Sequence, residues 1–197
     1  MKHLPIKSPE VLFAGFYGSK VYGTHNEKSD TDIIIVTKSK SIDFKINNID
    51  YQVLALDDFK SKLYSHNIAM LETYFLDDHN IICENFGFRE SLHFSVNIKT
   101  LRHSLSQTAS NSFVKCKKKL TMEKDLDYVG LKSLYHSLRI LMFGIDIATN
   151  NKITNYSIAN DLYHQIVNEP ADWEYLKEKY QPIYNNLSSE FRKVTTK

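Results

Sequence analysis

Hydrophobic positions along this chain follow two different rhythms. Up to Cys83 they come in short, β-branched or aromatic runs. Val11 to Tyr17 (VLFAGFY) is an apolar run stopped by Gly18-Ser19, the pattern of a buried strand entering a turn. Asp32 to Thr37 (DIIIVT) predicts a second strand between the polar stretches 25–30 and 38–41. Asp43 to Ile46 and Ile49 to Leu54 predict two more, turned at Asn47-Asn48, and Ile81 to Cys83 a further short one. Within this half, Asp57-Asp58 predicts the cap of a helix carrying Phe59, Leu63 and Tyr64, and Ile68 to Leu76 forms another apolar segment.

Beyond Gly87 the spacing becomes helical. A stretch over 91–120 predicts one or two helices. Over 126–148, Leu131, Leu134, Leu138, Leu141, Met142 and Ile145 recur every three or four residues, as a buried helical stripe requires. Segments 155–168 and 172–187 continue the pattern. The expected fold is α/β (α+β): a small mixed sheet of four or five strands with packed helices in 1–87, and a helical lobe in 88–197 closing a cleft.

Composition narrows the function classes. A length of 197 residues suits one domain or two small lobes. Lys plus Arg number 25 against 23 Asp plus Glu, a balance that speaks against both a basic nucleic-acid wrapper and an acidic disordered tail. No apolar run reaches the roughly 18–20 residues of a membrane span, and Met1 to Glu10 lacks a signal-peptide core, so a soluble cytoplasmic protein is expected. Cys83 and Cys116 form no CxxC, which indicates neither a disulfide framework nor a zinc site. Glycine is scarce, and three of the six fall at Gly15, Gly18 and Gly23.

That glycine cluster opens the segment GSKVYGTHNEKSDTD, Gly18 to Asp32, followed by IIIV. Residues at i and i+2 of a strand share a side, so Asp30 and Asp32 bring two carboxylates together. Such a pair makes sense around a divalent cation, and oxygen donors without a His or Cys cluster favour magnesium or manganese over zinc. Gly18 lets the backbone approach a bulky ligand, and Ser19 adds a hydroxyl beside amides able to meet phosphate. Phosphate cradle plus carboxylate pair is the equipment of phosphoryl or nucleotidyl transfer.

Gly-Ser, ten intervening residues and Asp-x-Asp before an apolar strand resembles the signature of the polymerase-beta-like nucleotidyltransferase superfamily. The fuller string GSxxYGTxxxxSDxD resembles a subset of predicted nucleotidyltransferases of bacteria and phages. The order Asp50-Tyr51-Gln52-Val53-Leu54-Ala55-Leu56, Phe59, Leu71-Glu72 and the string Lys132, His136, Arg139 in GLKSLYHSLRIL are similar to later parts of that pattern. The resemblance implies that Asp30 and Asp32 ligate two Mg2+ (or Mn2+) ions, and that Asp50 ligates one and helps deprotonate an acceptor hydroxyl. It also implies that Gly18 and Ser19 hold the β- and γ-phosphates of an NTP. Tyr22, Gly23, Thr24 and Ser29 would shape the nucleotide-binding loop, and Lys132, His136 and Arg139 would face the triphosphate or the acceptor. Asp43 competes with Asp50 as third carboxylate. Glu72 is expected either in a salt bridge to a basic residue or at a rim.

The densest positive charge is Lys115, Lys117, Lys118, Lys119 and Lys124, with Arg102-His103 upstream. Read functionally, Arg102 and the lysines bind phosphates of a polynucleotide acceptor, giving transfer of an NMP to an RNA 3′ end, tRNA included, with pyrophosphate released. A protein or small-molecule acceptor is the alternative. A nucleotide- or RNA-binding module without catalysis is the second.

Overall fold

The computed structural model describes residues 5–6, 10–27, 29–39, 41–85, 87–123 and 126–196. The chain divides into two compact units, Met1–Ser95 and Val96–Lys197.

The first unit is built on a five-stranded sheet. Its strands are β1 (Val11–Tyr17), β2 (Thr31–Thr37), β3 (Ile42–Ile46), β4 (Ile49–Ala55) and β5 (Ile81–Glu84), in spatial order β3-β4-β2-β1-β5. β2 and β4 run parallel and every other pair is antiparallel, so the sheet is mixed as expected. Asn47, at a φ of 54°, turns the β3–β4 hairpin in the left-handed region that asparagine tolerates. β4 is thereby laid between its hairpin partner and β2.

Strands buried on both sides read as unbroken apolar runs, which explains IIIV in β2. Ile33 and Ile35 join Val11, Ala14, Tyr51 and Val53 in one cluster. The alternate residues Ile34, Val36 and Leu54 are buried too. On β1, Phe13 meets Phe88 with ring centroids 5.9 Å apart, and Phe88 meets Phe59 at 5.5 Å. Phe59 belongs to α2 (Leu56–Tyr64) and Phe88 to α4 (Phe88–Ser91); the unit also holds α1 (Ser19–Tyr22), α3 (Ile68–Tyr74) and a 3-10 turn at Asp78–Asn80. The aromatic contacts of Phe88 place the residues just after Gly87 with the sheet. Asp57 and Asp58 lie in the first turn of α2 and do not cap it. Ser41 Oγ instead accepts from Ala55 N at 2.9 Å and donates to Asp58.

The second unit contains α5 (Ile98–Thr121), α6 (Asp127–Asn150), α7 (Asn160–Ile166) and α8 (Trp173–Val194). α6 packs on the other three, and its Leu131, Leu134, Tyr135 and Leu138 share a core with Phe113, Cys116, Trp173 and Tyr180. The stretch expected to be helical from 91 is interrupted at His93, whose φ is 47°. α5 starts afresh after Asn97, whose side chain accepts from Thr100 N at 2.9 Å. α8 runs past the expected 187 to Val194, which carries Phe191 into full burial, and it accommodates Pro182 inside the helix. Among the described residues no helix is long and apolar enough to cross a membrane.

Candidate active site

The site candidates of the first unit meet at one end of the sheet. Register brings them together. Asp32 on β2 stands opposite Tyr17 on β1 and opposite Asp50 on β4, and Asp50 stands opposite Lys45 on β3. Paired positions on neighbouring strands point to the same face, so Asp32, Asp50 and Lys45 share one side. Asp30 lies just ahead of β2. Lys45 Nζ donates to Asp30 Oδ2 at 2.7 Å and to Asp50 Oδ2 at 3.3 Å, so one ammonium links two of the three carboxylates. The competing residue, Asp43, pairs with Gln52 one step further along the hairpin.

A cavity of about 460 Å3 opens over this end, lined by Asp32, Asp50 and Lys45 together with Tyr17, Phe44 and Gln52; Asp43 reaches its wall. The Lys45 hydrogen bond is the main cause holding the Asp30 carboxyl below the usual range, and the reciprocal bond raises the Lys45 ammonium. Both groups are therefore charged at neutral pH.

Gly18 follows the last residue of β1 and stands against Asp32. Its backbone, at φ 70° and ψ −145°, suits glycine, and a Cβ there would collide with Asp32 Oδ2 and stand 3.3 Å from Asp32 Cγ. The turn thus presses its main chain directly against the Asp32 carboxylate. Ser19 follows, half-buried, and its carbonyl accepts from Thr24 N at 3.0 Å. Gly23, at a φ of 77°, ends α1 in the left-handed conformation. Thr24 is buried. Ser29 Oγ accepts from Asn26 N at 2.9 Å and so closes the loop before Asp30.

Tyr22 and Glu72 explain each other. Both are buried, and Tyr22 Oη donates to Glu72 Oε2 at 2.6 Å. Glu72 is buried rather than at a rim, and its bond to this phenol ties α1 to α3.

The remaining candidates lie in the helical unit. Lys132, His136 and Arg139 follow one face of α6. Arg139 is buried over the rings of Tyr135 and Phe143, at 5.5 and 5.4 Å, and Lys132 sits 5.4 Å from the Tyr128 ring. Burial, then the like charges of Arg139, Lys132 and Lys115, push His136 well below the usual imidazole value, so its ring is neutral at pH 7.

The basic set expected to act together is split. Lys118 and Lys119 pair with Glu123, whereas Arg102 lies about 24 Å before Lys118 on α5, sixteen residues at 1.5 Å each. There it shares a groove with Lys99, His103 and Arg192. Lys124 falls outside the described residues. Lys45 is the site residue that spacing alone did not single out.

Three carboxylates are the right donors for magnesium or manganese, and an ammonium already held by two of them marks a place where the protein binds positive charge. The donor set therefore fits such an ion in chemistry. Among the described residues, however, no three His, Cys, Asp or Glu side chains are drawn together closely enough to hold one.

No protein-family model matches the chain, and no curated protein matches it. Among solved structures the chain is similar to a spectinomycin adenyltransferase from Enterococcus faecialis with ATP and spectinomycin. The TM-score is 0.41 and the identity 12%, over 94% of this chain and 93% of that one. It is also similar to a nucleotidyltransferase-like protein from Exiguobacterium sibiricum, at a TM-score of 0.33 and 8% identity over 95% of this chain and 69% of that one. Overlaps of this size carry no argument about family or activity.

Proposed function

We propose that the protein is a magnesium- or manganese-dependent nucleotidyltransferase, moving an NMP from an NTP to an RNA 3′ hydroxyl and releasing pyrophosphate. The observation that carries the reading is the alignment of Asp32 with Asp50 on adjacent strands, with the Gly18 backbone pressed against Asp32. That juxtaposition supports a role in which carboxylates and a phosphate-binding turn act on one reacting group.

Asp30, Asp32 and Asp50 would hold the metal, which when bound neutralises the triphosphate and polarises the α-phosphate. Gly18 and Ser19 orient the β- and γ-phosphates through their backbone amides. The acceptor oxygen forms its bond to the α-phosphorus, the α–β bridging bond breaks, and pyrophosphate departs with that electron pair. Asp50 accepts the proton lost by the acceptor hydroxyl. Lys45, released from Asp30 and Asp50, remains as a cation at the cavity wall. Positioning and charge neutralisation supply most of the acceleration in such a transfer. RNA is favoured as acceptor by the basic residues of the helical unit.

The test is pyrophosphate release with each NTP, Mg2+ and cellular RNA, with label transfer read on a gel. Asp32→Asn and Asp50→Asn are expected to reduce both signals to background while circular dichroism stays native. Equal release by wild type and both variants overturns the reading.

A further inference from the structure

We infer that the groove between α5 and α8 is a binding site for the phosphodiester backbone of single-stranded RNA. The groove holds about 720 Å3 and takes Lys99, Arg102 and His103 from one helix and Asn185, Ser188 and Arg192 from the other. Residues 99, 102, 103 and 106 on α5 share a helical face, so the wall extends over two turns, about 10 Å.

Three facts point to phosphate. First, no carboxylate lines the groove, and among the described residues Lys99, Arg102 and Arg192 form no ion pair. Compensation is available elsewhere: Arg89 pairs with Glu84 and Asp78, Lys179 with Glu169, and Lys119 with Glu123. Second, the chain has only four arginines among its 25 basic residues, and two of them, one from each wall, face this groove. A planar guanidinium binds phosphate bidentately, which lysine cannot do. Third, the rest of the lining is the His103 imidazole, the Tyr184 phenol and amide and hydroxyl groups able to bond sugar and phosphate oxygens, and the volume exceeds what a single phosphate fills. A strand of about two nucleotides suits its size and length better.

The choice of RNA rests on the acceptor proposed above, whereas the contact itself needs no catalysis. Fluorescence anisotropy with a labelled 12-nucleotide RNA, over a range of salt, reads it directly. Wild type is expected to bind with a clear salt dependence. Arg102→Gln with Arg192→Gln should weaken binding at least tenfold and make the log–log salt slope shallower by about 1.4, two single-strand contacts at roughly 0.7 each. Lys152→Gln, an exposed lysine of the same unit outside the groove, should change affinity less than threefold. Should the double variant lose its native circular dichroism, Arg102→Lys alone should still weaken binding, because the charge stays and the fork is lost.

The inference is overturned if wild type binds no RNA, if the native-folded groove variants bind like wild type, or if tripolyphosphate or a mononucleotide displaces RNA as effectively as unlabelled RNA does. Asp32→Asn separates the two readings: it should bind RNA normally while losing pyrophosphate release. Retained release would sink the catalytic reading and leave the groove standing.

Discussion

Replacing Gly18 with alanine tests the contact on which the site depends. The residue occupies φ 70°, ψ −145°, a region closed to L side chains at a cost on the order of 1–3 kcal/mol. The new methyl also collides with the Asp32 carboxylate, whose Cγ would be 3.3 Å away, so turn and carboxylate must part by on the order of 1 Å. A misplacement of that size in a positioned reaction costs about 100-fold. Gly18→Ala is therefore expected to lose about 1–3 kcal/mol of stability and about two orders of magnitude in kcat/KM. Gly15→Ala is the matched control. There the added methyl meets Leu76 Cδ2 at 2.6 Å, the movable end of a side chain, and Phe13 at 3.2 Å, with no carboxylate involved. It should lose stability by a comparable, overpacking amount, ~1–3 kcal/mol, and keep most of its activity when assayed well below its melting temperature. Denaturant unfolding and steady-state pyrophosphate release measure the two effects separately. Wild-type kcat/KM in a folded Gly18→Ala protein would refute the reasoning.

Other expectations follow from the same geometry. Tyr22→Phe removes the hydroxyl bonded to buried Glu72 and should cost roughly 1–3 kcal/mol, measured by urea unfolding, because the substituted ring fills the same volume and only the hydrogen bond is lost. His136 is depressed below its ordinary 6.5, so the unfolded chain takes up that proton first. Its contribution to stability is present above pH 6.5 and lost as the pH falls below it; His136→Gln should show a shallower decline in Tm between about pH 7.5 and 5.5. Burial pushes the Cys116 thiol up to about 12 and raises Cys83 as well. Iodoacetamide at about pH 8 should leave both largely unmodified in the native protein, as read by mass spectrometry, and alkylate both in urea; rapid native labelling of Cys116 would contradict its placement.

Much of this architecture was legible because its signals are local. Alternating or continuous apolar runs marked all five strands, and the leucine spacing of α6 marked the centre of the helical unit. The Gly-Ser turn and Asp30-x-Asp32 were legible because their positions along one segment already put them on one side. What was hidden depends on pairing. Nothing in DFKI shows that Lys45 reaches two aspartates, since that follows from β4 lying between β3 and β2. The preference for Asp50 over Asp43 likewise rests on a parallel register that sequence spacing does not encode. The lysine cluster shows the converse: neighbours in a helical sequence point in different directions, and an acid close in sequence can pair with some of them, as Glu123 does with Lys118 and Lys119. Arg102 and Arg192, ninety residues apart, meet only when α5 and α8 fold together.

The order β3-β4-β2 also bears on how the sheet assembles. β4 can dock on β2 in several sliding positions, all of which bury branched side chains. A slip by one residue would turn Asp50 to the face of Ile33 and Ile35 on β2, stranding a carboxylate against an apolar layer at a cost of several kcal/mol. Only the native alignment leaves it facing the water of the cavity. The aspartates proposed to hold a metal thus also act as proofreaders of the strand pairing that brings them together.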